Sequence, residues 1–182
     1  MSEEPGSFVY GRHFALLLGL AVMLLAVAGR LPPHGATARF ALYGALYSSA
    51  LALCVRGPVA VGRRLLFTAL GTLVSAANAM LGLEAVHFQL GVPVALGHSL
   101  ILICCACLGA AVYATLVRAF WRPTLTLAAL LAASAACTLA VQGVLALHLE
   151  LQSGGAWVAV SWWFAFSLAL CYHDRPRIAV PG

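Results

Sequence analysis

Two short stretches of the sequence combine histidine with glutamate, in a chain that has only five acidic residues. The stretch EAVHFQLG contains Glu84 and His87, and LALHLELQ contains His148 and Glu150. Glu84 and His87 are three residues apart, a spacing that places two side chains on one face of a helix. His148 and Glu150 are two residues apart, so they converge only where the chain is extended.

His98 extends this set, because it lies about one and a half helical turns into the apolar run that follows. Three imidazoles and two carboxylates are donors that could bind a transition metal such as zinc. Glu-x-x-His is also half of the di-metal motif of helical bundles, but the second half is missing because HLE has the wrong spacing. Two interpretations stay open. In the first, these residues form an outward-facing ligand, ion or metal site; in the second, they are polar helix ends that water reaches.

The composition indicates that most of the chain is surrounded by lipid. Of the 182 residues, 63% are hydrophobic and 8% are charged, with a mean hydropathy of +1.00. A soluble domain of this size has about 25% charged residues. We therefore predict an all-α fold, a polytopic transmembrane helix bundle, with residues 1–182 forming a single integral membrane domain.

Six apolar runs predict six transmembrane spans, separated by segments rich in proline and glycine. The predicted spans are 14–31, 40–55, 65–83, 94–117, 124–147 and 156–172. A possible signal-peptidase pattern, AVAG, would leave five spans if cleaved, but Glu3 and Glu4 argue against such a leader. LALCVRGP and LALCYHDRP resemble each other, which suggests three repeated helical hairpins, although Ala-Leu-rich sequence matches itself easily.

The distribution of arginine predicts the orientation in the membrane. All ten basic residues are arginine, and only Arg30 and Arg39 fall on one side of the predicted spans. The positive-inside rule then predicts cytoplasmic N- and C-termini in a cell inner membrane. The lack of lysine, with abundant alanine and glycine, suggests a GC-rich bacterial genome. The arginines form no basic face, so nucleic acid is not an expected partner.

Small residues and buried polar groups predict how the helices pack. Small residues recur at every fourth position in four spans, which favours close helix contacts in lipid. These ridges are Ala41-Ala45-Ser49, Gly71-Ser75-Ala79, Ala106-Ala110-Ala114 and Ala128-Ala132-Ala136-Ala140. Asn78 and Gln142 are the intramembrane polar residues, which we interpret as interhelical hydrogen-bonding groups rather than solute contacts. All six cysteines lie in apolar runs, so we predict packing roles rather than disulfides or CCAC redox chemistry.

The function that these patterns favour is non-enzymatic contact with another membrane component. The protein would be an accessory subunit, an assembly factor or an immunity protein against a membrane-active toxin, and the aromatic sixth span could face lipid or a partner. No cofactor is predicted, and the expected partners are the lipid bilayer and another membrane protein or a second copy. The first alternative is a small transporter or channel for a cation or small solute, entered through the outward Glu/His residues. The second is a membrane metalloprotein that uses the same cluster.

Overall fold

The computed structural model describes residues 9–28, 35–55, 59–87, 94–121, 128, 131–136, 139 and 151–173. Within these ranges, side chains are described except at 36, 82–87, 94–99, 102, 151–155 and 172–173. The described residues are almost entirely helical, which confirms the predicted all-α class. The helices are α1 (Tyr10–Ala28), α2 (Ala36–Leu53), α3 (Val61–His87), α4 (Val94–Trp121) and α6 (Leu151–His173). Helix α5 is described at 128, 131–136 and 139.

Three of the described helical segments are long and apolar enough to cross a membrane. They are Tyr10–Ala28, Val61–Leu81 and Ile103–Trp121, and they correspond to the first, third and fourth predicted spans. The segment Ala156–Cys171 is also apolar but shorter. A membrane protein is therefore indicated, whereas the six-span bundle is not confirmed.

Helix α2 is not among these three helices, and its composition gives the reason. It contains Arg39 together with the polar side chains of Tyr43, Tyr47 and Ser48. Tyr43, Tyr47 and Ser48 are nevertheless buried, with exposed fractions of 4%, 1% and 0%. α2 therefore directs its hydroxyl groups into the interior of the bundle, where hydropathy alone would not place them.

Contacts between α1 and the helices beside it show that it runs antiparallel to both α2 and α6. The Tyr10 hydroxyl points at the Leu170 carbonyl at 3.4 Å. One turn further along α1 and one turn earlier along α6, His13 contacts Ser167. The backbone N–H of Val9 donates to the Cys54 carbonyl at 2.9 Å, so α1 begins where α2 ends.

The same reasoning orders α2, α3 and α4. Gly44 lies against Ser75, and Ser48 lies against Gly71, so α2 and α3 are antiparallel. Gly71 accepts a hydrogen bond from Tyr113 on α4, and Arg63 donates to the Phe120 carbonyl. These two pairs make α3 and α4 antiparallel as well.

One end of the bundle therefore holds the start of α1 and α3 and the end of α2, α4 and α6. We call it the arginine end, because Arg12, Arg63, Arg64 and Arg118 lie there, while Arg39 lies at the opposite end of α2. Both termini of the described helical bundle, Tyr10 and His173, are also at the arginine end.

Two arginines close the ends of neighbouring helices. Arg63 donates to the Phe120 carbonyl in the last turn of α4, and its guanidinium lies 5.5 Å from the centroid of the Trp121 ring. Arg64 donates to the Val55 carbonyl just beyond α2 at 3.4 Å. A cation is favourable at the carboxyl end of a helix, where carbonyl groups lack intrahelical partners. The two arginines thus join α3 to α4 and to α2.

The backbones of α2 and α3 approach each other closely at two glycines, Gly44 and Gly71. A Cβ atom on Gly44 would overlap the side chain of Ser75 and lie 2.9 Å from the Gly71 carbonyl oxygen. A Cβ atom on Gly71 would overlap the Ser48 side chain. The predicted Gly71-Ser75 ridge thus lies in the contact. On α2 the contact includes Gly44 and Ser48, and glycine allows a close approach of the two backbones.

Candidate functional site

The predicted outward cluster is only partly within the described structure. Glu84 and His87 lie on the last turn of α3, and His98 lies on the second turn of α4. Because α3 and α4 are antiparallel, all three positions are at the end of the bundle opposite the arginine end. Their side chains, and His148 and Glu150 altogether, lie outside the described residues. The cluster therefore stays a prediction.

The cysteine and metal predictions can be compared with the described side chains only. Among those side chains, no group of three or more His, Cys, Asp or Glu could hold a metal ion. The described cysteines are free thiols: Cys54, Cys104, Cys105, Cys107 and Cys171. Cys54 is buried, while the CCAC cysteines lie in the segment of α4 that is apolar enough to cross a membrane, with Cys104 exposed and Cys105 and Cys107 partly buried. Cys137 and Gln142 lie outside the described residues.

Asn78 is the predicted site residue whose contacts the structure does describe. Its Nδ2 donates to the Cys105 carbonyl at 2.9 Å and so links α3 to α4. Gly109 makes room for this amide, since a Cβ atom there would lie 3.1 Å from Asn78 Nδ2. The Asn78 Oδ1 atom is buried, and no described group donates to it. Asn78 therefore makes an interhelical bond with a backbone carbonyl and keeps one acceptor unpaired.

Asn78 lies at the edge of a cavity bounded by α2, α3, α4 and α6. The cavity volume is about 210 Å³, and apolar side chains make up most of its lining. Six aromatic residues contribute to its wall: Phe40, Tyr43, Tyr47, Tyr113, Trp162 and Trp163. For comparison, an apolar protein cavity of about 150 Å³ can bind benzene. The cavity is thus large enough for a small ring compound.

Tyr47 holds the aromatic wall together. Its ring stacks on Trp163 with a centroid distance of 6.0 Å and meets Trp162 edge-on at 5.6 Å. It also lies 5.7 Å from the Tyr113 ring and 6.1 Å from the Phe166 ring. Offset-stacked and edge-to-face pairs at such distances are favourable beyond simple burial. Tyr47 therefore fixes α2 against both α4 and α6.

A buried hydrogen-bond chain leads from Tyr47 to α1. The Tyr47 hydroxyl lies 3.0 Å from Ser167 Oγ, which lies 2.8 Å from His13 Nε2. His13 and Ser167 are fully buried, at 0% exposure. A buried polar group needs a partner, because lipid and protein interiors offer no water to replace one. These two hydrogen bonds therefore link α1 and α6, the first and last helices described, to α2.

A second set of hydroxyl groups lies where α2, α3 and α4 meet. The Tyr113 hydroxyl donates to the Gly71 carbonyl at 3.0 Å, which leaves Ser48 Oγ, 2.8 Å away, to donate to Tyr113. The hydroxyls of Tyr47 and Tyr113 are thus already engaged in helix packing. Asn78, which also lines the cavity, has a buried Oδ1 atom to which no described group donates.

Sequence reasoning missed the cavity and the hydrogen bonds of His13. For the aromatic sixth span, the sequence suggested a surface that could face lipid or a partner. In the structure Trp163 and Phe166 are buried, at 2% and 0% exposure, while Trp157 is exposed at 41%. The sequence signal for these hydrogen bonds was His13 itself, a histidine immediately before the first predicted span.

Comparison of the chain with known protein families, with curated proteins and with solved structures found no match.

Proposed function

We propose that this chain is a small multi-pass protein of a bacterial inner membrane that acts non-enzymatically, by binding another membrane component in the aromatic cavity. The observation that carries this proposal is the cavity of about 210 Å³ between α2, α3, α4 and α6. Concave, mostly apolar sites with few polar groups are typical of small-molecule binding. Because α1, α3 and α4 contain segments apolar enough to span a membrane, the component would reach the cavity from the bilayer.

The hydrogen bonds around the cavity favour binding rather than chemistry. Two of the wall tyrosines, Tyr47 and Tyr113, already use their hydroxyls in contacts to Ser167 and to the Gly71 carbonyl. A general acid or base would need to be within hydrogen-bond reach of the reacting group. These hydroxyls instead hold four helices in place around the cavity, which suits a rigid binding site. The accessory, assembly and immunity roles predicted from the sequence involve contact with another membrane protein, and they stay separate predictions.

We expect Ala79→Leu to reduce binding of this component, because Ala79 lines the cavity. Leucine places a bulky isobutyl group where alanine has a methyl group. Overfilling a packed site costs about 1–3 kcal/mol, which corresponds to at least about a fivefold loss of occupancy. The measurement is native mass spectrometry of the protein released from lipid nanodiscs, with extraction and quantification of the bound compounds.

The matched control is Ala77→Leu, on the same helix two residues earlier. Ala77 is exposed and does not line the cavity, so this variant should keep the occupancy of the unaltered protein. Equal occupancy in all three proteins would show that the cavity is not the binding site. An unaltered protein that carries no lipophilic compound and takes up none when reconstituted would overturn the proposal.

We also propose that the arginine end faces the cytoplasm. Four of the five described arginines lie there, and an excess of arginine is typical of cytoplasmic segments. A green fluorescent protein fused after residue 182 should therefore fluoresce. Alkaline phosphatase inserted between α3 and α4 should be active, since that enzyme matures outside the cytoplasm. The reverse pattern, with an inactive phosphatase and a dark fluorescent fusion, would contradict this orientation.

A further inference from the structure

We propose that the arginine end carries a binding surface for the headgroup of an anionic phospholipid, formed by Arg12 on the first turn of α1 and Arg64 on the first turn of α3. This surface is separate from the aromatic cavity, because neither arginine lines that cavity. The inference depends on three features: the convergence of the two arginines, the charge balance around them, and the exposed apolar side chains that follow them along α1 and α3.

The end of α2 brings the two arginines together. The Val9 N–H donates to the Cys54 carbonyl at 2.9 Å, which attaches the start of α1 to the end of α2. Arg64 donates to the carbonyl of the next residue, Val55, at 3.4 Å, which attaches the start of α3 to the same place. The guanidinium groups of Arg12 and Arg64 both act electrostatically on the Cys54 thiol. Two positive charges therefore converge where three helix ends meet.

The charge balance at this end favours binding of an external anion. None of the described side chains is acidic, so no described carboxylate neutralises Arg12 or Arg64. In the sequence, Glu3, Glu4 and Asp174 precede α1 or follow α6, whereas all the arginines except Arg30 and Arg39 fall on this side of the predicted spans. Three acids can neutralise at most three of these arginines. Like charges repel, and an anion between them removes that repulsion.

The side chains that follow the arginines indicate a lipid rather than a free phosphate ion. Leu65 and Leu66 come directly after Arg64 on α3, and both are exposed. On α1, Leu18 comes six residues after Arg12 and is exposed as well. Both helices contain segments apolar enough to cross a membrane. The order from charged to apolar along them matches the order of headgroup and acyl chain in a phospholipid, and a phosphate ion has no apolar part to cover these leucines.

Arg12 is the better of the two residues to test. Its side chain is exposed, whereas Arg64 also joins α3 to the end of α2. A guanidinium group can hold a phosphate through two parallel hydrogen bonds. One arginine near the membrane surface strengthens the attraction of anionic lipid by about 1 kcal/mol, which corresponds to about a fivefold change in binding.

The test measures the lipids that the purified protein retains, by native mass spectrometry after equilibration with equal amounts of dioleoyl phosphatidylglycerol and dioleoyl phosphatidylcholine in detergent micelles. The two lipids share their acyl chains and differ in headgroup charge. We expect the unaltered protein to be enriched in phosphatidylglycerol and Arg12→Gln to lower this enrichment about fivefold. Arg12→Gln combined with Arg64→Gln should lower it further. The denaturation midpoint of Arg12→Gln should equal that of the unaltered protein, which shows that the variant is folded.

Two matched variants separate a binding surface from a general attraction by positive charge. Arg118→Gln removes one charge from the same end, but on α4, and Arg39→Gln removes one from the opposite end. Each should change the enrichment by less than about twofold. Equal losses for Arg12→Gln and Arg118→Gln would show that the whole end attracts anionic lipid without a defined surface, and would overturn the inference. An unaltered protein that retains both lipids equally would overturn it too.

A competition experiment distinguishes a lipid from a free phosphate ion. Millimolar inorganic phosphate is compared with chloride at the same ionic strength, because salt screens exposed charges. We expect the two salts to leave the same amount of phosphatidylglycerol bound. Selective displacement of the lipid by phosphate would identify the phosphate ion as the ligand and contradict the assignment to a lipid.

Discussion

Gly71→Ala is expected to lower the free energy of unfolding by about 3 kcal/mol, the upper part of the range for overpacking a well-packed contact. The new methyl group would overlap the Ser48 side chain and lie 3.0 Å from the Tyr113 hydroxyl. α2 and α3 must then separate, and the hydrogen bonds from Ser48 to Tyr113 and from Tyr113 to the Gly71 carbonyl lengthen. The measurement is the denaturation midpoint in mixed detergent micelles, followed by circular dichroism.

The control for this variant is Gly62→Ala, on the same helix. A Cβ atom at Gly62 meets nothing within 4 Å, and alanine is a better helix former than glycine. The midpoint of Gly62→Ala should therefore equal or exceed that of the unaltered protein. Combining Gly71→Ala with Ser48→Gly should recover part of the loss, as expected for residues in direct contact. A Gly71→Ala protein as stable as Gly62→Ala would show that α2 and α3 do not pack as described.

Tyr47→Ala is expected to lower the free energy of unfolding by about 3–5 kcal/mol, the range for removing a large buried aromatic side chain. The Tyr47 ring contacts four aromatic rings on α4 and α6, and its hydroxyl contacts Ser167. Tyr47→Phe keeps the ring and removes only the hydroxyl, so it should cost about 1 kcal/mol. The same denaturation measurement applies to both variants, and near-ultraviolet circular dichroism would report the loss of fixed tryptophan packing in Tyr47→Ala.

Leu42→Ala is the comparison for Tyr47→Ala, because Leu42 is on the same helix and 43% exposed. A side chain that faces lipid or detergent in the folded protein loses little when it is truncated, so this variant should stay within about 0.5 kcal/mol of the unaltered protein. If Tyr47→Phe and Tyr47→Ala lowered the free energy of unfolding equally, the hydroxyl, and not the ring, would be the group that holds α2 in place.

A helix could be predicted from the sequence where its residues form a continuous apolar run. The span predicted for 94–117 belongs to α4, which begins at Val94, the residue after Pro93. α3 and α4 extend past the predicted spans, because a helix continues for as long as its backbone hydrogen bonds form, whatever the hydropathy of its residues. Arg63 and Arg118 lie in these extensions. Hydropathy therefore does not locate helix ends.

The cavity could not be predicted because the sequence carries no information about which faces of these helices meet. Asn78 stood out, since an amide within an apolar run needs a partner. Tyr47, Tyr113 and Trp162 come from three helices far apart in sequence, and apolar residues are spread around all sides of each helix. A helix that is hydrophobic all round shows no stripe from which its rotation could be read. The contact of Gly44 and Ser48 with α3 determines how α2 is rotated about its own axis.

The bond between His13 and Ser167 joins residues 154 positions apart in the chain, and this separation has a consequence for biogenesis. Proteins are synthesised from the N-terminus, so α1 is made while the ribosome has yet to translate α6. Until α6 arrives, the imidazole of His13 lacks Ser167 and the cavity lacks its tryptophans. A nascent chain that ends before α6 thus lacks the Ser167 partner of His13 and one wall of the cavity, so this part of the bundle can form only after translation of α6.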